Sequence, residues 1–172
     1  MFRKTIINDV GGYLFHPSFF MYYEESDFCH RVWLSGNEVH FVPSTPIIHL
    51  LGQSFGTFSS QTVWSRYLSN TFFSYLSLFS IRGIARILPL FLAMNLTNTV
   101  KGMLTGNLKP AKAFFSAFAL TWRRRHEIKS VRKLQQSNRK ISDKELFTKI
   151  MQRPRLSYYW YSATGKTNKY AE

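Results

Sequence analysis

Phe19-Phe20-Met21-Tyr22-Tyr23-Glu24-Glu25-Ser26-Asp27-Phe28-Cys29-His30-Arg31 is the stretch on which the reading turns. Five apolar or aromatic residues run into three carboxylates, Glu24, Glu25 and Asp27. From Glu24 the spacing is helical. Phe28 and Val32 share a face, Trp33 lies beside them, and Gly36-Asn37 supplies a stop, so residues 24–35 are expected to form a short helix. Asp27 and Arg31 stand four apart and can pair on its polar side, for about 0.2–0.5 kcal/mol on an exposed surface. A helix N-terminus stabilises negative charge, while an aromatic wall desolvates and disfavours it. Together these opposed effects can hold a carboxylate ready as a general base. A capping cluster on a solvated helix start is the plainer reading of the charge pattern alone.

Outward from this stretch, Gly11-Gly12 and His16-Pro17-Ser18 read as turns. Downstream, Val39-His40-Phe41-Val42-Pro43 reads as a strand ended by proline, and Thr45-Pro46-Ile47-Ile48-His49-Leu50 as a second extended piece. Residues 52–60 form a loop rich in Gly, Ser and Thr, and the composition changes near residue 60. Residues 62–80, 81–104 and 111–136 carry apolar residues at helical spacing, with a turn over 106–110. A shorter helix is expected from Ser142, with Asp143 and Glu145 in its first turn.

The 172 residues are 45% hydrophobic and 17% aromatic, enough apolar material for a packed core. A single cysteine excludes an internal disulfide framework and a cysteine-built zinc site. The net charge of +14 is unevenly spread. Residues 1–60 hold three basic and five acidic side chains, and residues 61–172 hold twenty and four. Such asymmetry points to an anionic partner, a membrane surface or a nucleic acid. No signal-peptide pattern follows Met1, and no run of eighteen uncharged apolar residues is present.

Gly11-Gly12-Tyr13, the 19–31 stretch, Leu34-Ser35-Gly36, Phe41-Val42-Pro43, Ile48-His49 and Gly52-Gln53-Ser54 come in the order seen in family 2 glycosyltransferases. Over residues 1–58 the chain resembles the second half of that family's GT-A catalytic domain, especially in bacterial rhamnosyltransferase-like enzymes. The resemblance implies an α/β fold: the C-terminal portion of a GT-A domain over residues 1–60, then a basic helical membrane-associated region over 61–152 and a tail over 153–172. It implies an inverting hexosyltransferase that moves a sugar from a nucleotide sugar to a lipid-linked or polysaccharide acceptor. Glu25 matches the catalytic base, taking the proton from the acceptor hydroxyl as that oxygen attacks the anomeric carbon. Glu24 and Asp27 would shape the acceptor site, and Arg31 would orient Asp27. His49 matches a histidine that helps ligate a divalent metal, Mg or Mn, on the donor diphosphate. The chain has no Asp-x-Asp motif. It is therefore expected to be the C-terminal portion of a longer enzyme, incomplete alone, with the metal and donor held mainly by an N-terminal half.

Arg82, Arg86, Lys101, Arg123, Arg124 and Arg125 flank the apolar helical stretches, a pattern suited to anionic headgroups. Trp64, Trp122, Tyr67 and Tyr75 suit the headgroup level. Arg86 and Lys101 bracket fourteen residues, too few to span a bilayer. The expected location is the cytoplasmic face of the plasma (inner) membrane, peripheral or monotopic. A non-catalytic membrane-binding remnant is the alternative; a nucleic-acid module is disfavoured by the wide apolar faces, and no nucleic-acid partner is expected. His16, His30, His40 and His126 show no metal-ligand spacing, and Cys29 reads as a small buried hydrophobe.

Overall fold

The computed structural model describes residues 2–43 and 58–150, together with Ser157 and Tyr161. Seven helices follow one another: α1 (Ile6–Asp9), α2 (Glu24–Leu34), α3 (Ser60–Leu78), α4 (Ile81–Leu104), α5 (Lys109–Arg123), α6 (Arg125–Asn138) and α7 (Asp143–Ile150). Among the described residues there is no strand.

The expected α/β fold, a partial GT-A domain, is therefore corrected to an all-helical one. Residues 39–43 run without a ladder, and their side chains lie in solvent, Phe41 at 91% exposure. A strand is a paired structure, and no described segment lies beside these residues to accept and donate the bonds. The second extended piece lies outside the described residues.

The helices form where the spacing places them, with local chemistry setting their ends. Ser59 Oγ accepts from Thr62 N to cap α3, and Ser80 Oγ accepts from Gly83 N to cap α4. Asp143 Oδ2 also accepts from Ser80 N at 2.8 Å, tying α7 to the start of α4. The stretch expected as one helix over 111–136 breaks at Arg124 (φ −91°, ψ 8°) into α5 and α6.

α3 is the central post, packing most extensively on α5 and then on α6. Its buried side is largely small and polar: Ser65, Ser69, Thr71, Ser74 and Ser77. Ser65, Thr71 and Ser77 return their hydroxyl protons to carbonyls three or four residues earlier, which satisfies them without a partner helix. Small residues on both sides let α3 approach Ala113 and Ala117 of α5 closely. Apolar clusters complete the core. Leu68 and Phe72 pack on Phe114 and Ala117, while Leu34 of α2 joins Leu78, Phe79, Ile87, Leu146 and Phe147. The amino-terminal segment thus shares a core with the helices after residue 60.

Candidate functional site

The carboxylates sit where a strained turn enters α2. Tyr22 (φ 63°) and Tyr23 (φ 73°) are both left-handed, a conformation bulky residues rarely take. Two such residues together cost about 2–6 kcal/mol and persist only where the surroundings over-determine them. The constraint comes from Asn70 on α3, a residue without signal in the sequence. Its buried amide donates to Met21 O and Tyr22 O, each at 2.9 Å. Arg124 Nη1 in turn donates to Asn70 Oδ1 at 3.0 Å, fixing the amide's orientation.

Glu24 and Glu25 occupy the first turn of α2. Glu25 is exposed, and Glu24 is half-buried, with Oε2 enclosed and without a hydrogen-bond partner. Burial pushes the Glu24 carboxyl above its usual range, a backbone bond at its own amide opposes this, and the Glu25 charge adds to the rise. Asp27 is different in kind. It is buried and accepts from Arg31 Nε at 2.8 Å, forming the pair that the spacing suggests. Arg31 also donates to Val10 O (2.9 Å), Tyr13 O (2.9 Å) and Leu14 O (2.6 Å), with its guanidinium 4.2 Å from the Tyr13 ring centre. This buried clasp binds the Gly11-Gly12 turn to α2. Asp27 is thereby committed to structure, which leaves Glu24 and Glu25 as the carboxylates open to chemistry.

Beside the strained turn lies an open cleft of about 710 Å³, between the start of α3 and the α4–α5 turn. Tyr22, Gln61, Trp64, Asn98, Lys101 and Lys109 are among its lining residues, and Glu24 and Glu25 are not. Among the described residues, the charged ones that line it are the two lysines.

The other expected residues are placed as follows. His49 lies outside the described residues. Among the described residues no three His, Cys, Asp or Glu side chains gather as a metal site would require. His16 is buried against Phe73 and Phe19; its Nδ1 accepts from Ser18 N at 3.3 Å. His30 packs on Phe79, and its Nδ1 has no partner. His40 is exposed beside Glu38, and His126 is exposed. Burial pushes the Cys29 thiol up, with the Glu25 charge adding to it, the opposite of what a reactive thiolate needs.

Arg82, Arg86, Lys101, Arg123 and Arg125 are exposed. Arg124, expected with them on an anionic surface, instead turns inward. Its guanidinium stands 4.1 Å from the Phe73 ring centre and bonds Glu127 and Asn70. The α5–α6 break at Arg124 aims it there, and its Nη2 is buried without a partner. Tyr75, expected at headgroup level, packs against Tyr23, Phe79 and Phe91.

On the outer side, α5 exposes Phe115, Phe118 and Trp122, and α4 exposes Leu90, Leu96, Val100 and Leu104. The 24-residue α4, about 36 Å long, is long and apolar enough by length and composition to cross a membrane, and 22% of its most apolar window is buried. Any eighteen-residue window of this helix includes Arg86 or Lys101, and the uncharged stretch between them is fourteen residues.

Compared with protein families, with curated proteins and with solved structures, the chain matches none.

Proposed function

We propose that this chain is the acceptor-activating, membrane-docking portion of a glycosyltransferase that takes its sugar from a nucleotide donor, similar in its motif to family 2 enzymes. One observation carries the reading: the adjacent carboxylates Glu24 and Glu25 stand on a backbone held strained at Tyr22-Tyr23, and strain of this kind clusters at functional sites. Glu25, exposed at the helix start, acts as base. It takes the acceptor hydroxyl proton while the oxygen attacks the anomeric carbon and the nucleoside diphosphate leaves from the opposite side. Glu24 borders the acceptor. Its raised pKa makes it a hydrogen-bond donor over more of the pH range than an ordinary carboxyl. The Asp27–Arg31 clasp keeps the helix start in register.

The exposed apolar stripe of α5 and α4, with Lys112 and Arg123 exposed on α5 and Arg125 at the start of α6, supports docking on the inner face of a plasma membrane, where a lipid-linked acceptor resides.

The test uses the native gene. Cells carrying Glu25→Gln are compared with wild type for sugar transfer from nucleotide sugars into lipid-linked and polysaccharide fractions of their membranes. Loss of a general base lowers turnover by about 10²–10⁴, with unchanged protein abundance and helicity. Full transfer by Glu25→Gln overturns the reading.

A further inference from the structure

The wall of the cleft beside Tyr22 is mainly apolar, and that surface is more aromatic than aliphatic, with the rings of Tyr22, Phe58 and Trp64 on it. Two of these rings are backed. Tyr67 stacks on Trp64 with 5.2 Å between ring centres and 18° between planes, and Phe20 meets Phe58 edge-on at 5.7 Å. Trp64 is 40% exposed, so part of a held indole faces open space.

Three side-chain amides stand around the wall, each on a different element. Gln61 lies in the first turn of α3, Asn98 in the C-terminal half of α4, and Asn107 in the α4–α5 turn. The amides of Gln61 and Asn98 make no hydrogen bond among the described residues. Asn107 Oδ1 accepts from Lys109 N at 3.2 Å, which orients that amide and leaves its NH2 to donate. Asn107 N donates to Gly102 O at 2.8 Å, holding the turn in place. Among the described residues no carboxylate lines the cleft, and Lys101 is already engaged within the chain.

An aromatic platform ringed by uncharged donors and acceptors matches a sugar ring. A pyranose offers C–H bonds on one face, which meet the negative face of an indole, and hydroxyls around its rim, which pair with amides. A hydrocarbon chain would cover those amides without pairing them. A nucleobase carries its hydrogen-bonding groups in one plane along its edges, whereas these amides come from three elements. The volume, about 710 Å³, is that of a small-molecule site.

We infer that this cleft seats a sugar unit of a glycan acceptor, one face laid on Trp64, so that the chain serves to extend an existing saccharide. The inference rests on the sugar-transfer reading for the role of the bound glycan. Tyr22 precedes Glu25 by three residues, so their Cα atoms lie at most about 11 Å apart. The cleft wall thus begins within a short oligosaccharide's reach of the base.

The probes are neutral trisaccharides of glucose, mannose, galactose, rhamnose and N-acetylglucosamine, presented to the full chain and read by saturation-transfer difference NMR. Saturable binding of at least one is expected, with the strongest saturation on the C–H protons of one ring face. Trp64→Ala should weaken it at least about tenfold. Trp64→Phe keeps a ring and should weaken it about threefold; it carries the test if Trp64→Ala loses helicity. Gln61→Leu combined with Asn98→Leu should weaken it about tenfold, through the loss of two neutral hydrogen bonds. Phe41→Ala, at an exposed aromatic outside the cleft, should leave it unchanged. Raising the salt to about 0.5 M should change it less than about twofold, because the ligand is uncharged.

Absence of binding by every trisaccharide, or binding undiminished in both Trp64 variants, overturns the inference. Uridine or octanol, run in parallel, overturns it by binding more tightly than every trisaccharide, as a nucleobase or hydrocarbon site would require. Binding is read without donor or turnover, so the two readings fail separately. Saccharide binding alongside full transfer by Glu25→Gln keeps the site and loses the sugar-transfer reading. Transfer lost in Glu25→Gln with no saccharide binding loses the site alone.

Discussion

Replacing Arg31 by methionine should remove much of the chain's stability. The side chain is fully buried, and its four polar contacts reach Asp27, Val10, Tyr13 and Leu14. Methionine fills most of the volume but leaves the Asp27 carboxylate, itself 4% exposed, without a counter-charge. Three carbonyls also lose their donor. Breaking one side of a buried pair costs about 3–5 kcal/mol, against a total of about 5–15 kcal/mol for a domain. For a chain of this size the corresponding fall in Tm is about 6–20 °C. Urea unfolding followed by circular dichroism at 222 nm measures the loss, with the denaturant slope unchanged if only the folded state is affected. Asp27→Leu combined with Arg31→Met removes both charges and should recover part of the loss, giving a coupling of about 1–3 kcal/mol. High salt should change the wild-type value little, because a buried pair is poorly screened. A loss below about 1 kcal/mol for Arg31→Met, the value of an exposed pair, would refute the clasp. It would also return Asp27 to the list of carboxylates available for chemistry.

Asn70→Leu frees the Met21 and Tyr22 carbonyls and strands the Arg124 guanidinium. It should cost about 2–3 kcal/mol and speed chymotryptic cleavage at Tyr22-Tyr23. Gly102→Ala forces a methyl against Asn107 O at 2.6 Å and Pro110 Cγ at 3.1 Å. The clash should cost about 1–3 kcal/mol, read as a lower Tm, and disturb the α4–α5 turn. His16 and His30 both have pKa values lowered chiefly by burial, so the folded chain binds fewer protons there than the unfolded chain. Their contribution is complete above the ordinary histidine pKa of about 6.5 and is lost as pH falls from there through the lowered folded values. His30→Phe should flatten that acid limb in a series of thermal melts, and an unchanged limb would remove His30 as its source.

What the sequence made legible was local. The period of α2, the span of α4 and the start of α7 could be read because apolar spacing and caps are encoded within a few residues. The turn at Arg124 was hidden inside a continuous helical pattern, since no Gly or Pro marks it. The polar buried side of α3 was hidden for another reason. Serines that bond their own helix look like surface residues until a neighbouring helix of small residues lies against them. The strand at 39–43 failed because β-branched and aromatic content marks pairing capacity, and no described segment lies alongside to pair with it. At the candidate site, the carboxylates and the Asp27–Arg31 pair were legible within one helical turn. Asn70, 48 residues beyond Tyr22, was not, because only tertiary packing brings its amide to those carbonyls.

The two left-handed tyrosines also explain why the turn is not built from glycine, which would take those angles without strain. Their side chains go to different places. Tyr23 packs inward among Tyr67, Tyr75 and His30, while Tyr22 lines the cationic cleft. Glycine at either position would relax the backbone and lose one of those surfaces. The backbone strain is therefore the condition for having an anchoring ring on one side and a cleft wall on the other, immediately before the α2 carboxylates. A ligand seated in the cleft touches the same rigid turn that presents Glu24 and Glu25. The cleft wall at Tyr22 and the carboxylates Glu24 and Glu25 thus stand on one piece of backbone, whose geometry Asn70 and Arg124 fix.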